Sequence, residues 1–321
     1  MNSVRAQNGA VLLAVLIVSI ILVLLIASST LLMGHKLTIA QTSKSYVQQR
    51  LAVYSKVNEL KYLVASQRAT HKGISTGTNK KGAEQQDGLW KYRITGDELR
   101  ADGYIYTEKV NDGENEDEIE VTYSIQADNG LIPINTSKQY WLERWFTNSG
   151  MEYFTTKKLL DRIADYADAD DWSRPAGGES SVYLQNDLPA PPNYLYQNCK
   201  ELTKVYEWEL LAGEHSELVN YCRISRTATL NINAIPEALI KVLFPASYDA
   251  IITARNNNTW FLEIKSAIAA IPELTLLPEP YYSLAEQNYF HIAVSAPQYE
   301  EKWFLHRGSG TQSPLKSYRQ Q

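Results

Sequence analysis

The sequence predicts an α+β protein in which a long amino-terminal helix, first transmembrane and then amphipathic, precedes an antiparallel sheet that holds a large inserted all-α domain. Three observations predict it. Residues 10–33 contain no charged side chain. Short runs rich in Tyr, Ile, Val and Thr precede a block of helical spacing over residues 131–278. Strand patterning returns only after that block, and strands separated in sequence must rejoin one sheet to bury their faces.

The helix comes first. At about 1.5 Å per residue, residues 10–33 exceed the roughly 30 Å of a bilayer's hydrocarbon core. Ahead of them stands a leader, residues 1–9, whose sole charge is Arg5 and which ends in Gly9 directly before Ala10. A cleavable secretory signal has a shorter apolar region followed by its cleavage site, whereas here the candidate processing site precedes the apolar run; a plain uncleaved signal anchor is the alternative. Arg5 on one side and Lys36 on the other leave orientation open by charge. The first acidic residue is Glu59. Val47, Leu51, Tyr54, Val57, Leu60 and Val64 recur every three or four residues, so the helix continues to about residue 65 with that face on the sheet. Gly73, Gly77 and Gly82 end it.

The β domain is expected over residues 66–130 and 279–308. Runs 90–95, 104–110 and 119–125 read as strands, the last two separated by a solvated acidic turn over 112–118. Runs 289–295 and 301–307 complete the sheet, and residues 309–321 read as a disordered tail. Inside the insertion, helices are expected over 138–148, 155–168, 200–211, 236–243, 248–255 and 261–270.

Composition narrows the function classes. The 321 residues include 44% apolar and 21% charged side chains with a net charge of −5, values of a folded protein with an anchor. With 31 basic residues facing 36 acidic ones, no nucleic acid is expected as a partner. No phosphate-cradling glycine loop, nucleophile elbow or paired zinc histidines occur, and the five His are scattered.

Two features carry chemistry. Asp165, Asp168, Asp170, Asp171 and Glu179 concentrate hard oxygen donors at a helix end and loop, which suits calcium better than zinc. Helix capping by solvated acids and catalytic carboxylates are the competing readings. Cys199 and Cys222 can form a disulfide or stand as two buried thiols. Residues 229–270 look like a helix-hairpin-helix without its glycine, and Asn231 and Asn233 are placed to cap helices.

These residues give the chain a resemblance. The acidic motif Asp165, Tyr166, Asp168, Asp170, Asp171, then Gly177, Gly178, Glu179 and Tyr183, is similar to that of the K-type minor pseudopilins of type II secretion. So are Pro191, Pro192 and Asn193, the pair Glu201 and Leu202, and the run Asn231, Ile232, Asn233, Ala234 before Pro236. The family's Trp is Tyr166 here, and Ile134 and Asn135 fit its pattern loosely. The resemblance implies a class III leader cut between Gly9 and Ala10 by prepilin peptidase, with Ala10 in place of the usual Phe or Met. It also implies a structural calcium ion and no enzymatic activity. The expected location is the bacterial inner membrane, single-pass, with the carboxyl-terminal domain in the periplasm. The implied partners are the I-type and J-type minor pseudopilins and the major pseudopilin. Most pilins carry Glu at the fifth mature residue, here Ala14, and K-type subunits lack it, consistent with a place at the filament tip where the subunit initiates and caps assembly. A DNA-binding or uptake-type pilin using the hairpin and a membrane-anchored hydrolase using the acidic cluster are the alternatives.

Overall fold

The computed structural model describes residues 5–78, 94–111, 118–277, 281–284, 288–308 and 314–320. Helix α1, Arg5–Ser66, runs unbroken through the apolar segment and into the folded part. In its apolar half the hydroxyls of Ser19, Ser28 and Thr30 donate to the carbonyls of Leu16, Leu25 and Ile26, so these three are satisfied within the helix. Residues 11–39 are exposed throughout, with none of the described residues packed over them, and α1 is long and apolar enough to cross a bilayer.

Strands β1, Gly73–Ser75, and β2, Glu98–Arg100, form a small antiparallel pair. The main sheet begins with β3, Tyr106–Asn111, and β4, Glu118–Ala127. The inserted segment follows: β5, Ile132–Pro133; α2, Tyr140–Asn148; α3, Tyr153–Ala167; α4, Ser180–Gln185; α5, Trp208–Ala212; β6, Cys222–Arg223; β7, Leu230–Asn231; α6, Glu237–Leu243; α7, Tyr248–Asn256; α8, Ile264–Ala270; and β8, Tyr282–Ser283. The chain then closes the sheet with β9, Tyr289–Ala296, β10, Tyr299–Arg307, and β11, Leu315–Gln320. The antiparallel order is β11-β10-β9-β4-β3. The strand before the insertion thus pairs directly with the strand after it, from Thr122 opposite Ser295 to Ala127 opposite Phe290.

Two cores result. One lies between α1 and the sheet, where Val53, Val57, Leu60 and Val64 meet Val121, Ile125, Phe290, Ile292, Val294 and Leu305. The other fills the insertion around Trp141, Trp145, Phe146, Leu159, Tyr166, Tyr183, Tyr196 and Trp208. Disulfide-linked Cys199 and Cys222 tie a 3-10 turn, Cys199–Lys204, to β6, with Cα atoms 6.0 Å apart.

Several expectations need correction. Val47 and Leu51 are 53% and 64% exposed, because the sheet meets α1 on an adjacent face. Gln49 and Lys56 are buried there instead, and both are paired. The side-chain oxygen of Gln49 accepts from the Gln298 amide at 2.8 Å, and Lys56 bridges Glu59 at 2.6 Å and Glu108 at 2.7 Å. Residues 315–320 of the expected tail are strand β11, since β10 offers a free edge and Leu315 packs on the core. The insertion expected over 131–278 is not all α: the parallel pair β5 with β6 lies within it, and its β7 pairs in parallel with β8, just past its expected end. The expected helix over 200–211 breaks into the 3-10 turn and α5, with Glu207 at a left-handed φ of 56° between them, and α4 was not foreseen. Of the expected strand over 90–95, Ile94 and Thr95 lie outside any strand and 90–93 fall outside the described residues, as do residues 1–4 of the leader, 112–117 of the acidic turn and tail residues 309–313 and 321.

Sheet and insertion meet at a charged junction. Arg255 of α7 is buried and donates to Asp102 at 2.9 Å and to the carbonyls of Ile232, Asn233 and Ile235. Burial lowers its pKa to about 10. Asp102 also receives Arg100 at 2.5 Å. Arg223 of β6 donates to the carbonyls of Leu131 and Thr229 and lies 3.7 Å from Asp128, which also contacts His291 at 3.0 Å. The backbones are so close here that a Cβ on Gly130 would stand 2.0 Å from the Ala234 carbonyl oxygen.

The disulfide spans 23 residues, and opening a loop of that order costs about 2–4 kcal/mol. Replacing Cys199 and Cys222 by Ser is expected to lower the unfolding free energy of the detergent-solubilised chain by that amount, measured in guanidinium, with reductant having no further effect on the variant.

Candidate functional site

The carboxylate cluster forms where α3 ends. Asp165 lies on its last turn facing inward, Asp168 follows in extended backbone, and the loop 169–179 folds back over both before α4. The five acids do different jobs. Asp165 is fully buried, and its Oδ2 accepts the amides of Arg174 and Gly178, each at 3.0 Å. A Cβ on Gly177 would lie 1.8 Å from that oxygen, so the loop approaches the carboxylate in a way only glycine allows. The Arg174 guanidinium contacts Asp165 and also Asp168, the latter at 2.5 Å. Asp170 turns outward to accept the amide of Trp172 at 2.9 Å, and Asp171 receives the side-chain amide of Asn193 at 2.9 Å.

Glu179 stands apart. It is buried, and neither of its carboxylate oxygens has a hydrogen-bond partner; Oδ1 of Asp168 is also unsatisfied. Burial, reinforced by the charges of Asp165, Asp168, Asp171 and Asp170, raises the Glu179 pKa to about 7. Buried carboxylate oxygens are almost always satisfied, so the fit to a hard cation rests on Glu179 and Asp168. Asp165 is already committed to the loop and to Arg174. Among the described residues, no three His, Cys, Asp or Glu converge tightly enough to hold an ion as they stand.

Sequence reasoning missed Arg174, the lone Lys or Arg between residues 163 and 199, a position that marks it as the cluster's counter-ion. It also missed Asp161, whose Oδ2 accepts the Ala176 amide at 3.1 Å. Arg162, which bridges Glu207 at 2.5 Å and reaches the carbonyls of Ala176 and Tyr206, was likewise unforeseen.

The hairpin is built for packing. Asn231 caps the turn Ile232–Ala234 by accepting the Asn233 amide. Asn233 is no cap: its side chain bonds both the carbonyl and the amide of Phe261, at 2.8 and 3.1 Å, joining the two arms. With Arg255 buried at the junction, Lys241 and Lys265 are the exposed cations of this segment. The processing residues Gly9 and Ala10 fall inside α1.

Residues 121–219 match the family model of type II secretion system (T2SS) protein K. That segment starts in β4 and contains the whole carboxylate cluster. No curated protein matches. Among solved structures, a chain of the GspK-GspI-GspJ complex from the enterotoxigenic Escherichia coli type 2 secretion system aligns at a TM-score of 0.55 and 14% identity, covering 88% of this chain and 98% of that one. At that identity the likeness is one of fold. The α+β class and the resemblance read from the motifs are both borne out.

Because its pKa in the folded state lies above the ordinary carboxylate value of 4.5, Glu179 contributes stability when protonated and loses it as pH rises toward and through 7. Glu179→Gln is therefore expected to match the parent's melting temperature near pH 4 and exceed it at pH 8 in chelator, measured by thermal unfolding.

Proposed function

We propose, from the match of residues 121–219 to the type II secretion system protein K family model, that the protein is a minor pseudopilin at the tip of the pseudopilus, where it helps initiate assembly and caps the filament. The observation that carries this is the bulky insertion mounted on a sheet and stem, on a chain with no acidic residue before Glu59. A carboxylate in hydrocarbon is retained only where it is paired. A stem without one asks for no subunit ahead of it.

On this reading prepilin peptidase cuts between Gly9 and Ala10. The retained helix holds the protein in the inner membrane, with the folded part in the periplasm, until it packs against sister stems. I-type and J-type minor pseudopilins and the major pseudopilin are the partners, as the complex named above suggests for its own chains. The role is structural rather than catalytic, as befits a secretion-filament subunit. Membranes containing the minor pseudopilins are expected to yield a chain beginning at Ala10 and co-purifying with the I and J types. A chain beginning at Met1 with and without the peptidase, or recovery free of other pseudopilins, would overturn the proposal.

The same reading gives the carboxylate loop a structural calcium ion, with Glu179 and Asp168 as the side chains that would hold it. Bound calcium would supply positive charge to oxygens that otherwise lack a partner. Loading must displace the Glu179 proton, so affinity is expected to rise with pH toward and through about 7. Calorimetric titration of the detergent-solubilised protein should show this, and Glu179→Gln should weaken binding at least tenfold. No heat of binding at millimolar calcium would remove the ion from the account.

A further inference from the structure

The carboxyl-terminal strand carries a charge that the stem depends on. Tyr299, Glu301 and Trp303 alternate along β10 and so share one face of the strand. The Glu301 side chain on that face is completely buried. It accepts the Tyr299 hydroxyl at 2.6 Å and the Trp303 indole N–H at 2.7 Å, and it pairs with Arg319 of β11 at 3.2 Å. Arg319 also donates to the Tyr299 hydroxyl at 3.3 Å.

The two aromatic rings held by Glu301 are the rings that α1 touches. Lys61 places its ammonium 3.0 Å from the centre of the Trp303 ring. Tyr46 meets Tyr299 edge-on at 5.8 Å, and the Arg50 guanidinium lies 5.8 Å from the same ring. These contacts run from residue 46 to residue 61, about 22 Å along the helix. A buried carboxylate that stays ionised is held by an opposite charge beside it as well as by neutral donors. Lys61 is near enough to feel Glu301 but spends its ammonium on Trp303. Arg319 is the cation among the described residues that pairs with Glu301 directly.

We infer that Arg319 is a positioning residue for the stem: by compensating Glu301 from the last strand, it fixes Tyr299 and Trp303 in the arrangement on which α1 lies. The carboxyl-terminal strand is then a strap whose closure sets how firmly the stem docks. Its neighbour Gln320 makes a separate contact, 3.1 Å from the His291 ring, and provides a control on the same strand.

Hydrogen–deuterium exchange of the full chain in detergent tests this. Arg319→Gln is expected to speed exchange of amides 46–64 about tenfold while leaving α3 unchanged, and Gln320→Ala is expected to leave both as they are. Adding Glu301→Gln to Arg319→Gln removes the uncompensated charge and should return most of the protection. Unchanged exchange over 46–64 in Arg319→Gln, an equal effect from Gln320→Ala, an increase spread evenly through the insertion, or no recovery in the double variant would each overturn the inference.

Discussion

The bridge between Asp102 and Arg255 is the constraint on which the rest of the structure depends. Both side chains are withdrawn from water, and Arg255 is closed in further by three carbonyl oxygens. Taking such charges out of solvent is expensive, and breaking a buried pair from one side costs about 3–5 kcal/mol where the remaining charge has no compensation; here that is the loss of Asp102, which strands Arg255, whereas Asp102 without Arg255 keeps Arg100. The pair therefore specifies one seating of the insertion on the sheet. Arg223 and Asp128 repeat the arrangement at the other side of the junction, with His291 of the sheet on the same carboxylate. In each case the β domain supplies the acid and the insertion supplies the arginine.

That seating explains how a single chain carries two cores without behaving as two loosely joined pieces. The sheet core answers to α1, and the insertion core answers to its own aromatic residues and the disulfide. The carboxylate loop lies at the end of α3, with Asp165 inside the insertion and away from the stem. The stem is governed separately from the far edge of the sheet, where Arg319 and Glu301 sit.

Much of this was legible in the sequence where one pattern dominates. The apolar run, the helix positions of α2, α3, α6 and α7, the return of strands after the insertion and the acidic motif all follow from local spacing. What was not legible depends on partners distant in sequence. Val47 and Leu51 fit the helical stripe as well as Val57 and Leu60 do, and only the sheet's position decides that Gln49 and Lys56 are buried in their place. Residues 315–320 are mostly polar and read as a tail; an open strand edge, a buried Glu301 and Leu315 against the core make them a strand. Nothing local to Arg255 shows that Asp102, 153 residues away, is its partner. Within the acidic cluster, composition announced five equivalent ligands, whereas the fold assigns Asp165 to the loop and leaves Glu179 unsatisfied.

The central claim is that sheet and insertion are locked by a charge pair, and a double-mutant cycle on Asp102→Asn and Arg255→Met measures it most directly. Followed by urea unfolding of the detergent-solubilised chain, each single change should destabilise the protein and separate the transitions of the two cores, with a coupling energy of about 2 kcal/mol or more. Additive single effects with one undivided transition throughout would contradict the account.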